Sequence, residues 1–115
     1  MLPGSGVIRS AMTKRGYKHR YTDDQYSIRG EYARNLQFVY SKEQSSKAGR
    51  VVDLVYFSAD ILSEKLVVSL YRENPDIENG VYVNTTGSLD LKKFSAKELN
   101  QVLDKLVTSV DDKLK

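Results

Sequence analysis

The sequence predicts an α+β protein: an antiparallel β-sheet of four or more strands followed by a C-terminal amphipathic helix. Three observations predict it. Apolar and aromatic residues recur with period two from Tyr26 to Tyr40. Residues 50–57 and 65–71 are dense in Val and aromatic residues, which suit a pleated, half-buried surface. Near the C-terminus, a helix-capping sequence is followed by an apolar stripe at helical spacing.

Taken in chain order, residues 2–6 (LPGSG) show no periodicity and are left out of the fold. Residues 7–25 are weakly patterned. Val7, Ile8, Ala11 and Met12 suit a short helix or strand, and Gly16 breaks anything longer. The predicted organisation is therefore a basic, weakly structured N-terminal arm over 1–25 and a single α+β domain over 26–115. From Tyr26 onward, Tyr26, Ile28, Tyr32, Leu36, Phe38 and Tyr40 share one parity, as in a half-buried strand bulged or turned near Gly30 or Arg34-Asn35. Ser45-Ser46-Lys47-Ala48-Gly49 is a turn cluster. The next two strands are residues 50–57 (RVVDLVYF) and 65–71 (KLVVSLY). Val51, Leu54, Val55, Leu62 and Leu66 also approximate helical spacing, so a helix through 51–70 stays open, but the density of Val favours strands. Asn74-Pro75 and Asn79-Gly80 bracket a loop, residues 81–83 form a short strand, and Asn84-Thr85-Thr86 reads as its end.

The helix is predicted at about 95–112. Ser95-Ala96-Lys97-Glu98 is a capping box, after which Leu99, Val102, Leu103, Leu106, Val107, Val110 and Leu114 line one side. Burying each of these side chains is worth about 1.5–3 kcal/mol before entropy is subtracted. One helix covers only one face of an antiparallel sheet. The strand at 50–57 is apolar on both, with Val51, Val55 and Phe57 on one face and Val52, Leu54 and Tyr56 on the other. The second face therefore needs the N-terminal segment, a ligand or a second protomer, and a homodimer is the expectation.

Bulk composition narrows the function classes. With 115 residues, 40% hydrophobic and 29% charged, the chain reads as one ordinary globular domain. No apolar run reaches the roughly 20 residues of a membrane-spanning helix, and no signal-peptide core is present, so no membrane partner and a cytoplasmic location are expected. Zero cysteines exclude disulfides, thiolate catalysis and most structural zinc sites. His19 is the sole histidine and sits between Lys18 and Arg20, so neither a His-rich metal site nor a Ser-His-acid triad is available. No Gly-rich phosphate loop occurs. Catalytic residues, metal ligands and cofactors are therefore expected to be none. One enzyme pattern is weighed as a minor alternative. Pro75-Asp76 followed by Asp90-Leu91-Lys92 has the order of a PD-(D/E)xK metal-dependent nuclease, in which two carboxylates hold a divalent ion.

Charge is placed unevenly. Residues 1–34 hold seven Lys/Arg against three acids, whereas residues 35–115 are net −1. Tyrosines stand among the cations. Phosphates need cations and unpaired bases need flat aromatic faces, so this segment predicts sequence-tolerant binding of single-stranded DNA or RNA. Lys14, Arg15, Lys18, Arg20 and Arg29 are the phosphate candidates, and Tyr17, Tyr21 and Tyr32 the stacking candidates. Tyr32 shares the parity of Ile28 and Leu36 and is equally a core candidate.

The strand series ends in Gly87-Ser88-Leu89-Asp90-Leu91, which leads into the helix at Ser95-Ala96-Lys97-Glu98-Leu99. This arrangement over residues 26–110 resembles the Whirly and transcriptional-coactivator type of single-stranded DNA-binding domain. That resemblance implies curved sheets that cradle DNA and helices that help dimerise, and phages carry versions of it. The chain departs from the pattern by Lys92-Lys93-Phe94 at the junction and by having no Trp. A different class stands beside it: small cytoplasmic, phage-type interaction modules or inhibitors of a host protein, for which Tyr and Arg are typical interface anchors.

Overall fold

The computed structural model describes residues 5–24, 35–46, 49–60, 63–74 and 81–113. Helix α1 (Ser5–Lys14) precedes strands β1 (Lys18–Asp24), β2 (Asn35–Ser46), β3 (Gly49–Asp60), β4 (Lys65–Glu73) and β5 (Val81–Asp90), and helix α2 (Ala96–Lys113) follows them. The strands form one antiparallel sheet in the order β1-β2-β3-β4-β5. The predicted α+β class is the observed one, with five strands and a second helix.

Residues 51–70 are strands, not a helix, and their burial alternates as a pleat requires. In β3, Val51, Asp53, Val55, Phe57 and Ala59 are buried, while Val52, Leu54, Tyr56 and Ser58 are half-buried. β4 repeats the pattern with Leu66, Val68 and Leu70 inside. Of the predicted turn cluster, Ser45, Ser46 and Gly49 belong to the paired ends of β2 and β3, and Lys47 and Ala48 lie outside the described residues. The capping box also forms: the Glu98 backbone N–H donates to Ser95 Oγ at 3.1 Å, and the Ser95 hydroxyl donates to Glu98 Oε1 at 3.2 Å. Leu99, Leu103, Leu106 and Val110 of α2 are its buried stripe.

The N-terminal region departs from the expectation of a weakly structured arm. Residues 5–14 form a helix, and its Ile8, Ala11 and Met12 join one core cluster with Tyr40, Val55, Phe57, Leu66, Val68 and the α2 stripe. The sequence signal was faint because only one helical turn or so is apolar. What ends α1 is clear, however. Gly16 adopts φ +87°. Its N–H donates to Thr13 O at 3.0 Å, and the Tyr17 N–H donates to Met12 O at 2.9 Å. This is a Schellman C-cap, and it requires a left-handed residue where Gly stands. The chain then enters β1, which pairs with β2, so the predicted boundary at 25/26 does not separate the arm from the sheet.

A second correction concerns β5, which runs on through Asn84-Thr85-Thr86 to Asp90. Gly87 in its middle marks a close approach of α2. A Cβ there would sit 3.0 Å from Val102 Cγ1. Gly87 is thus a packing site inside the strand. The parity expected for Tyr26, Ile28 and Tyr32, the Asn79-Gly80 turn and Leu114 lie outside the described residues.

Candidate binding face

Both helices pack on the same face of the sheet, sharing one core. Among the described residues nothing packs on the opposite face. Strand register sets out that open face in cross-strand rows. One row reads Lys18, Ser41, Leu54, Tyr71 and Asn84 from β1 to β5. The next reads Val39, Tyr56, Ser69 and Thr86, and a third contains Gln37, Ser58, Val67 and Ser88. Val39 is 2% exposed although it lies outside the core cluster.

A shallow groove of about 350 Å³ crosses the middle of this face, with Leu54, Tyr56 and Tyr71 along it and Gln37, Ser58, Ser69 and Glu73 around it. Tyr56 and Tyr71 meet edge to face, centroids 5.3 Å apart at 82°, a favoured aromatic geometry. Ser69 Oγ and Thr86 Oγ1 are 3.2 Å apart. Glu73 is half-buried, and among the described residues no hydrogen bond or ion pair reaches its carboxylate. Among the described residues no cation lines the groove, and the Arg50 guanidinium near the β2–β3 hairpin is 3.2 Å from Glu43.

Those cations and tyrosines nominated from sequence that are described take different roles. Lys14, Lys18 and Arg20 are exposed, with no ion pair among the described residues. Arg15 is engaged within the molecule: its guanidinium donates to Asn100 Oδ1 at 3.0 Å, to the Asn100 carbonyl at 3.2 Å and to Asp104 at 2.7 Å, fastening the end of α1 to α2. Tyr17 packs against the core, and Lys42 Nζ lies 5.7 Å from its ring centroid. Tyr21 pairs with Val39 in the sheet. Arg29 and Tyr32 lie outside the described residues. His19 packs edge-on against Tyr40 at 5.1 Å.

Sequence reasoning missed the aromatic groove, whose residues were read only as a second apolar face. It also missed a buried ion pair. Asp53 is 2% exposed and accepts two hydrogen bonds from Arg72, at 2.7 and 3.0 Å, while Arg72 also donates to Asp111 of α2 at 2.6 Å. Desolvation opposes the Arg72 charge, but the Asp53 hydrogen bond outweighs it and raises the pKa further. The available signal was parity: Val51 and Val55 flank Asp53 two residues away on either side, and Leu70 precedes Arg72 by two, all of them core apolars.

Tyr17 lies within the field of this pair. Burial, and then the charge of Asp53, push its hydroxyl from 10.0 up to about 12. The folded state therefore prefers the neutral phenol. Its contribution is fully present below pH 10 and is lost as pH rises from 10 through 12. After solvent screening, denaturant unfolding should show a loss of about 1–2 kcal/mol over that window. The Tyr17→Phe variant should lack this component; an unchanged pH slope would remove the assignment.

Metal chemistry finds no support in the described residues, which hold no group of three or more His, Cys, Asp or Glu suited to an ion. Of the nuclease-like pattern, Asp76 lies outside the described residues. Asp90 Oδ1 accepts the Lys92 backbone N–H at 3.0 Å, and Lys92 Nζ pairs with Glu64 at 2.8 Å. No described helix is long and apolar enough to cross a membrane. Comparison with protein-family models, curated proteins and solved structures finds no match to the chain.

Proposed function

We propose that the chain is a non-catalytic binding module that engages a partner protein through the open face of its sheet. The composition of that face carries the reading: Leu54, Tyr56, Val67 and Tyr71 stand half-buried on it, around a groove that none of the described cations lines. Aromatic and aliphatic side chains in a shallow depression, ringed by Ser, Thr and Gln, have the make-up of an interface core with a polar rim. An anionic strand laid over Glu73 would meet repulsion there.

Leu54→Lys tests this, because it charges the centre of the face without touching the helix-covered core. A partner captured by the wild type should be lost from Leu54→Lys and retained by a Lys14/Lys18/Arg20 charge-reversal variant. Equal capture by wild type and Leu54→Lys would reject the face. Light scattering of the purified chain asks whether the partner is a second copy: a homodimer doubles the 13.1 kDa of the monomer, and Leu54→Lys should then dissociate it.

A second reading, single-stranded DNA or RNA, is favoured by the exposed Lys14, Lys18 and Arg20 at the α1–β1 end. It leaves stacking to Tyr56 and Tyr71, with Lys18 in the same cross-strand row as Tyr71. Three phosphate contacts predict a salt slope near about −2 and roughly 20-fold weaker binding between 50 and 200 mM salt. Saturation of labelled oligo-dT below about 10 μM protein with that slope would transfer the function to nucleic acid.

A further inference from the structure

We propose that the groove on the open face is an arginine-recognition slot, filled by the guanidinium of an arginine in an apolar segment of the partner. This rests on the partner-protein reading and names the chemistry of its anchor. Three observations converge on it. Glu73 offers a half-buried carboxylate that no described residue engages. Tyr56 and Tyr71 set two aromatic rings in the same depression, centroids 5.3 Å apart. Gln37 and Ser58 border it with further acceptors, and neither has a partner among the described residues.

The charge balance selects the occupant. A lone carboxylate beside aromatic faces and neutral acceptors lacks only a cation, and none of the groove-lining residues is one. Guanidinium meets all three demands at once. Its fork donates two parallel hydrogen bonds to a carboxylate, its flat face stacks on an aromatic ring, and its remaining N–H groups suit amide and hydroxyl oxygens. An ammonium satisfies the carboxylate but does not stack as a plane. Leu54 and Val67 on the same face give apolar residues flanking that arginine somewhere to rest.

Backbone-amide NMR on the full chain tests the slot with four probes: N-acetyl-arginine methylamide, its citrulline counterpart, N-acetyl-leucine methylamide and oligo-dT. Citrulline keeps the shape of arginine but not its charge. The arginine probe should shift the amides of Gln37, Leu54, Ser69, Tyr71 and Glu73, and citrulline should bind about tenfold more weakly. Glu73→Gln should weaken arginine about tenfold and leave citrulline unchanged. Tyr71→Phe, which keeps the ring, should bind arginine as the wild type does, whereas Tyr71→Leu should not. Equal shifts from arginine and citrulline, or no effect of Glu73→Gln, would overturn the slot. If only the leucine probe moves these amides, the slot falls while the partner-protein reading stands. If only oligo-dT moves them, both fall and the face belongs to nucleic acid. If no probe moves them, the slot is rejected outright.

Discussion

Replacing Arg72 with Ala should lower the unfolding free energy by about 3–5 kcal/mol, one of the two largest effects expected of any single change in this molecule. Asp53 is 2% exposed and accepts two short hydrogen bonds from Arg72, at 2.7 and 3.0 Å. Removing the guanidinium takes both of these bonds, and the compensating charge, from a carboxylate buried in the core. The pair itself need not stabilise the fold. Asp53→Leu combined with Arg72→Met should recover most of the loss, because apolar residues of similar size carry no desolvation cost. Asp111, whose side chain is 53% exposed, should matter much less, with Asp111→Asn costing under about 1 kcal/mol. Urea titrations at neutral pH measure all three variants. A cost below about 1 kcal/mol for Arg72→Ala would mean that Asp53 is solvated or re-paired in the variant.

Met12→Ala should cost about 2–5 kcal/mol. This prediction separates a structural α1 from a solvated arm, because a residue on an arm would cost almost nothing. Met12 is 0% exposed and sits in the same cluster as Phe57 and Leu99. Truncating it leaves a cavity between the sheet and two helices. The effect is a sizeable share of the roughly 5–15 kcal/mol that holds a small domain together. Thermal unfolding of the variant beside Lys14→Ala, an exposed position two residues on, gives the contrast. Equal melting temperatures would return α1 to the status of an accessory segment.

These two sites mark where the sequence was legible and where it was not. The class of fold was readable because local patterns carry it. Val-rich alternation in residues 50–57 and 65–71 suits a pleat, and the Ser95–Glu98 box with its following stripe specifies a helix start and a buried side. Both signals rest on interactions between residues a few positions apart. Gly16 as a breaker was legible for the same reason, since its left-handed φ is a local demand. Even the surplus of apolar surface could be read, because residues 50–57 are apolar on both parities.

The placement of that surface was a tertiary matter. Whether α1 would cover the second face or join α2 on the first depends on contacts between segments about ninety residues apart, such as Arg15 with Asn100 and Asp104. Those same contacts drew Arg15 out of the cationic cluster that sequence proximity suggested, and Tyr17 left it by packing against the core. Likewise Asp53 and Arg72 look like surface charges until antiparallel register places them opposite one another under α2. The groove of Tyr56, Tyr71 and Glu73 exists only because β3 and β4 pair in that register. Composition and periodicity thus determined a two-faced antiparallel sheet with a docked C-terminal helix. Long-range pairing alone decided which face both helices cover and which charges were consumed inside, because partner choice across a sheet depends on the packing of the whole core and not on local sequence.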